Sequence, residues 1–147
     1  MANDIQVSNV TLTGQDPVND YTMVQFDLTW ENSWRLSTGP SNWDAAWVFI
    51  KFRENGGEWE HARLTYTDGS AANDGHVEPS GCTINGSPDR IGAFIYRDAD
   101  GSGIVNWTGI QLRWDYGFSS VKDDAMIDIQ VFAIEMVYIP QGAFKTG

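Results

Sequence analysis

The chain has 147 residues, with nine Lys and Arg against twenty Asp and Glu, a formal net charge of −11. That length makes one domain with a hydrophobic core that needs no crosslinks, and the acidic balance excludes binding of nucleic acid or an anionic membrane through a basic face. The single cysteine, Cys82, excludes an internal disulfide and a thiolate metal cage.

Ile5 to Leu12 alternates apolar and polar residues, and Gly14-Gln15-Asp16-Pro17 with Asn19-Asp20 then forms a turn. Tyr21 to Trp30 is the best-patterned strand: Val24, Phe26, Leu28 and Trp30 share one face, Gln25, Asp27 and Thr29 the other. Glu31 to Trp43 turns polar and is read as a loop that folds back so that Trp34 and Leu36 cover one end of the core. Asn42 to Arg53 then holds the densest apolar run, a central strand with Val48, Ile50 and Phe52 facing the core. Trp43 and Asp44 sit at its mouth, where an aromatic ring beside a carboxylate makes a candidate ligand contact.

Glu54-Asn55-Gly56-Gly57 is a strong hairpin signal, because Asn and Gly both tolerate positive φ, and it makes Trp59 to Tyr66 the antiparallel partner. Thr67 to Arg90 is the least regular stretch, with only Cys82 to Ile84 dense enough for a short strand. Cys82 is expected to be buried or half-buried. Gly92 to Arg97 is strand-like and leads into Asp98-Ala99-Asp100-Gly101-Ser102-Gly103. Closely spaced aspartates before a glycine resemble the opening of a calcium loop, so Asp98 and Asp100 are candidate metal ligands and calcium the candidate ion. The twelfth position is Gly109 instead of glutamate, and no flanking helices are predicted; a hairpin loop rich in Asp and Gly is the plainer reading. Trp107 follows as a further candidate ligand contact. Ile110 to Trp114 is the next strand, and Ala125 to Ala133 another, in which Ile127, Ile129 and Val131 alternate with Asp128 and Gln130.

These elements predict an all-β fold in one domain, an antiparallel β-sandwich of jelly-roll or Ig-like type. Residues 1–133 form the sandwich and 134–147 an exit strand or linker. His61 and His76 lie fifteen apart without a local ligand partner and are read as surface histidines. No Gly-x-Ser-x-Gly elbow, phosphate-cradling loop or dinucleotide fingerprint occurs, so no catalytic residue is assigned, no cofactor is required and the chain is not expected to be an enzyme. Met1-Ala2-Asn3-Asp4 has no basic region before an apolar stretch, and no apolar run approaches ~18 residues. The chain as given is therefore expected to be leaderless, soluble and not membrane-inserted; work outside a cell would require a longer precursor, lysis or carriage on a particle.

The tail Glu135-Met136-Val137-Tyr138-Ile139-Pro140-Gln141-Gly142-Ala143-Phe144, with Gly147, resembles the first strand of a formylglycine-generating-enzyme-type domain. Such domains open with Met-Val-x-Ile-Pro-Gly-Gly-x-Phe, and here Gln141 stands in place of the first glycine. Asn42 to Phe49, Phe94 to Arg97, Leu112 to Gly117 and Val131 to Pro140 together resemble the region preceding such domains in large bacterial or phage proteins. The resemblance implies a β-rich module ahead of a C-type-lectin-like fold. It implies no activity for this chain, since Cys82 matches none of the enzyme's catalytic cysteines.

The expected function is a structural module that positions or oligomerises a lectin-like domain, with protein partners or self-association. The alternative is a carbohydrate-binding or adhesion module, calcium-dependent through Asp98 and Asp100, in which Trp residues stack on sugar rings. Burial of Trp34, Trp43, Trp59 and Trp107 would remove the platform that the second reading needs.

Overall fold

The computed structural model describes residues 3–39 and 41–138. It is all-β and antiparallel, as the alternation predicts. The strands are β1 (Asn3–Asp16), β2 (Tyr21–Arg35), β3 (Trp43–Glu54), β4 (Glu60–His61), β5 (Cys82–Gly86), β6 (Gly92–Arg97), β7 (Gly101–Trp114) and β8 (Ile127–Tyr138), with a single helical turn, α1 (Ala71–Asp74), and a 3-10 turn at Tyr116–Ser119. Hydrogen bonds connect all eight strands, but β2 and β3 meet at only one residue pair, Arg35 with Trp43. There the sheet folds over. One layer is β1-β2-β7 and the other β5-β6-β3-β8, with β4 beside the far half of β3.

The core lies between the layers and follows period two. Val24, Phe26, Leu28 and Trp30 of β2 and Ala46, Val48, Ile50 and Phe52 of β3 are all buried, against Ala93 and Ile95 of β6 and Ile110, Leu112 and Trp114 of β7. Burying one such side chain is worth about 1.5–3 kcal/mol, so this face dominates the stability of the fold. The turn after β3 forms as its sequence demands: Asn55 and Gly56 both have positive φ, and Gly57 N–H closes onto Glu54 C=O at 2.9 Å. The partner strand it introduces is short. After pairing at Glu60 and His61 it peels away, and Leu64 bridges to Trp114 of the opposite layer.

Two bulges set which side chains enter. In β2 the register with β7 slips between Trp30 and Ser33, where Asn32 has φ 55°, so Ser33 turns inward after four even-numbered residues have done so. In β7 Gly109, at φ 72°, separates Val105 and Trp107 from Ile110, Leu112 and Trp114, so both halves of the strand point into the core. The polar stretch after Trp30 is therefore a continuation of β2 as far as Arg35, paired with Gly101 to Gly103, and not a loop. Trp34 packs on the core as expected; Leu36 is 45% exposed and does not.

Asp98 to Asp100 is likewise no hairpin: it carries the chain from β6 in one layer to β7 in the other, and those strands do not pair. Ile134 to Tyr138 are the second half of β8, paired residue for residue with β3 from Ala133–Val48 to Tyr138–Trp43, so the boundary expected after Ala133 falls inside a strand. Ile139 to Gly147 lie outside the described residues.

Where the sheet folds over, a carboxylate is held inside. Asp44 is 1% exposed and accepts from Trp30 Nε1 at 2.6 Å, Ser33 Oγ at 2.8 Å and the Trp34 backbone N–H at 3.2 Å. Arg97 Nε donates to the same Ser33 Oγ at 2.9 Å, which ties β6 into the cluster. A buried carboxylate is tolerated only when its lone pairs are met, and these donors meet them. Asp44→Ala would strand the Trp30 and Ser33 donors in the core. It is expected to lower unfolding free energy by about 3 kcal/mol in chemical denaturation, with Asp44→Asn, which keeps one acceptor oxygen, losing less.

Candidate functional site

The strands that supply the core present a second set of side chains to the outside. On β3 these are the odd positions Trp43, Ala45, Trp47, Phe49, Lys51 and Arg53; on β8 the even positions Asp128, Gln130, Phe132, Ile134 and Met136; on β6 Phe94 and Tyr96. Pairing aligns them in rows across the sheet. Ala45 stands beside Met136, Trp47 between Phe94 and Ile134, Phe49 beside Phe132, Lys51 beside Gln130 and Arg53 beside Asp128. The rows from Trp43 to Phe49 are apolar and the last two polar. No described layer covers the apolar ones: Ile134 is 50% exposed, Met136 43% and Phe94 38%.

Local packing gives this face its relief. The Trp47 indole lies across Gly92, where a Cβ would come within 2.7 Å of the ring and 2.5 Å of Val48 O, and it meets Phe94 at 4.8 Å between ring centroids. Phe49 and Phe132 stack at 5.0 Å and 12°. Trp43 lies near-parallel to Tyr96 at 6.2 Å, with the Arg35 guanidinium 5.0 Å from its ring. Ala45 is short beside these rings, and a hollow of about 370 Å³ opens over it, bounded by Trp43, Phe94, Tyr96, Met136, Val137 and Asn85. At the polar end Arg53 Nε pairs with Asp128 Oδ2 at 2.7 Å and its guanidinium stacks over Trp59 at 4.8 Å.

The residues singled out in the sequence do not converge. Trp43 is half-buried on the apolar face. Asp44 and Trp107 face the opposite way: Asp44 is spent on Trp30, Ser33 and Trp34, and Trp107 packs edge-on against Trp30 at 5.4 Å, so neither reaches the surface as a ligand contact. Trp34 and Trp59 are half-buried. Asp98 and Asp100 are exposed on the connection between the layers; Asp100 Oδ1 accepts from Ser37 Oγ at 2.5 Å, a bond that holds its carboxyl below the usual range. Among the described residues no three His, Cys, Asp or Glu side chains gather as a metal set, and no helix is long and apolar enough to cross a membrane. Cys82 is buried, and burial first, then Glu78 and Asp98, push its thiol up out of the reactive range.

His76 is not a surface histidine. It is 6% exposed, its Nδ1 accepts the Arg113 backbone N–H at 3.0 Å, and its Nε2 has no partner among the described residues. Burial pushes its pKa from 6.5 down to about 4; Asp74 and Asp115 oppose the shift and Arg113 adds to it. A second hollow, of about 290 Å³, lies under the end of β1, but its polar groups are engaged with one another: Tyr116 Oη donates to Asp123 Oδ1 at 2.5 Å, and Gln15 Nε2 to Tyr116 Oη at 3.3 Å.

Sequence reading missed Phe94, Tyr96, Phe132, Ile134 and Met136 as one surface. The signal was present in β8, whose outward positions change from Asp128 and Gln130 to Phe132, Ile134 and Met136; the polar face read there ends at Gln130. The chain matches no protein-family model, no curated protein and no solved structure.

Two outcomes follow from this geometry. The folded chain keeps His76 neutral, so as pH falls through 6.5 the unfolded chain takes up a proton that the folded one refuses until about pH 4. Stability contributed by this residue is complete above pH 6.5 and declines by about 3 kcal/mol between those values. His76→Asn, which retains an acceptor near the Nδ1 position, should flatten that part of a pH series of denaturation midpoints; an unchanged slope would contradict it. Millimolar calcium is expected to leave the thermal midpoint where it is, and a rise abolished by Asp98→Ala with Asp100→Ala would instead place the ion there.

Proposed function

We propose that this chain is a non-catalytic structural module that docks onto protein through the outer face of β6, β3 and β8, and so assembles or orients a lectin-like or formylglycine-enzyme-like domain within a larger surface or particle-associated protein. The observation that carries this reading is the contiguous apolar surface from Trp43 to Phe49, with Ile134, Met136 and Phe94 raised on it. The largest contiguous apolar patch on a folded domain is often a functional surface, and this face is the candidate for that role here. The mixture matters as well. Flexible aliphatic and thioether side chains such as Ile134 and Met136 fill irregular protein counter-surfaces, whereas sugar rings need flat, open aromatic faces.

Carbohydrate binding stands as the second reading because Trp43 and Tyr96, near-parallel, both line the hollow over Ala45. Its platform is restricted: Trp43 is half-covered and has Arg35 against its ring. The docking surface can be tested on dilute protein with the neutral dye Nile red, which brightens on exposed apolar surface. Phe94→Lys with Ile134→Lys should reduce the bound-dye signal several-fold while circular dichroism and the melting curve stay close to those of the parent chain. Dye fluorescence indifferent to both substitutions would sink the reading.

A further inference from the structure

We propose that Asn55 is a site of spontaneous covalent modification: its side-chain amide is hydrolysed through a cyclic imide formed with the backbone nitrogen of Gly56, and the fold withholds the same reaction from Asn85. The chain holds two Asn-Gly pairs, Asn55-Gly56 and Asn85-Gly86. Both asparagines are exposed, and both precede the residue whose lack of a side chain leaves its amide nitrogen uncrowded. The dipeptide itself therefore does not separate them. Their surroundings do.

Asn55 and Gly56 are the central residues of the turn after β3, at φ 52° and 71°. Asn55 N–H donates to Met126 C=O and Gly57 N–H to Glu54 C=O, both at 2.9 Å, but the Gly56 N–H between them has no acceptor among the described residues. Nothing lies within 4 Å of the place a Gly56 Cβ would take, so the attacking nitrogen is unpaired and the backbone around it has room to turn. Asn85-Gly86 lies inside β5. Asn85 pairs with Phe94 on one side and bridges to Ser70 on the other, and Gly86 N–H donates to Gly69 C=O at 2.8 Å. A Cβ on Gly86 would come within 2.8 Å of Asp74 Oδ2, and one on Gly69 within 2.8 Å of Asn85 Oδ1. Here the nitrogen is engaged and the backbone has close neighbours on both sides.

The reaction needs only water and hydroxide. The Gly56 nitrogen gives its proton to hydroxide and attacks Asn55 Cγ; the new C–N bond closes the imide ring, and the carboxamide nitrogen leaves as ammonia. Water then adds to either ring carbonyl and that C–N bond breaks, giving aspartate or, where the backbone carbonyl is attacked, isoaspartate. Either product adds a negative charge to a chain already at −11, and isoaspartate puts a side-chain methylene into the main chain of the turn. Ring closure requires rotation about the Asn55 Cα–C bond. That rotation disturbs one tight turn, whereas at Asn85 it breaks pairing on both edges of β5; exposed turns open at far lower free energy than strands paired on both sides.

The test is to hold the folded full chain at mildly alkaline pH and follow both asparagines by peptide mapping with mass spectrometry, reading isoaspartate by its methylation with an isoaspartate-specific methyltransferase. The Asn55 peptide is expected to gain one mass unit and accept methyl groups, at about tenfold or more the rate of Asn85. In urea sufficient to unfold the chain the two rates should converge, because the protection of Asn85 belongs to the fold. The proposal is overturned if Asn55 keeps its amide over the time in which the unfolded chain loses it, or if Asn85 in the folded chain converts as fast as Asn55. A difference that persists undiminished in urea also overturns it, since the choice between the two sites would then lie in the flanking sequence.

Discussion

The structure depends on one buried carboxylate at the place where the sheet doubles over. Asp44 begins the inward series of β3 and is its only buried member that is not apolar. Its oxygens gather the Trp30 indole, the Ser33 hydroxyl and the Trp34 amide, all from the end of β2, and Arg97 of β6 reaches the same cluster through Ser33. Because β2 and β3 share only the pair Arg35–Trp43, the ladder alone does little to fix the angle between the layers. Hydrogen bonds to a desolvated carboxylate are directional and costly to break, so the cluster supplies the orientation that apolar packing, which is non-directional, does not.

Once that angle is fixed, every strand of the second layer is committed to two faces, and the functional interest falls on the outer one. The inner residues of β3 and β8 satisfy the fold. The outer residues are under no such demand, yet seven of the eleven from Trp43 to Arg53 and from Asp128 to Met136 are apolar: Trp43, Ala45, Trp47, Phe49, Phe132, Ile134 and Met136. Their change from charged and polar at Arg53, Lys51, Asp128 and Gln130 to aromatic and aliphatic beyond Phe49 and Phe132 divides one sheet surface into a wet end and a dry end.

Much of this was legible in the residues. Val24, Phe26, Leu28 and Trp30, and Val48, Ile50 and Phe52, announce their strands by alternation, and Asn55-Gly56 announces the turn between β3 and β4. Carrying the parity of β3 back from Val48 through Ala46 would have placed Asp44 inside. Trp107 could not be placed that way, because the bulge at Gly109 breaks the parity between it and Ile110. Gly101-Ser102-Gly103 reads as loop from composition and is strand only because Ser33 to Arg35 lie alongside, a pairing between segments far apart in the chain. His76 is hidden for a related reason: its burial comes from Arg113 and its neighbours on β7, not from anything local.

The bulge at Gly109 also makes β7 a strand of two phases. Its first half sends odd-numbered residues inward and its second half even-numbered ones, and a single glycine at positive φ reconciles them. Strand length in this fold is therefore free to vary by one residue at such a bulge and not within either half of the strand. Loss of Gly109 would leave Trp107 and Ile110 two residues apart and both halves in phase. Loss of one residue between Ile110 and Trp114 would instead turn the core residues beyond it to the other face, and the same loss in the connection around Asp98 would touch no core position. Tolerance to insertion and deletion is thus divided along the chain by phase as well as by burial, and β7 is editable at its bulge while each of its halves is not.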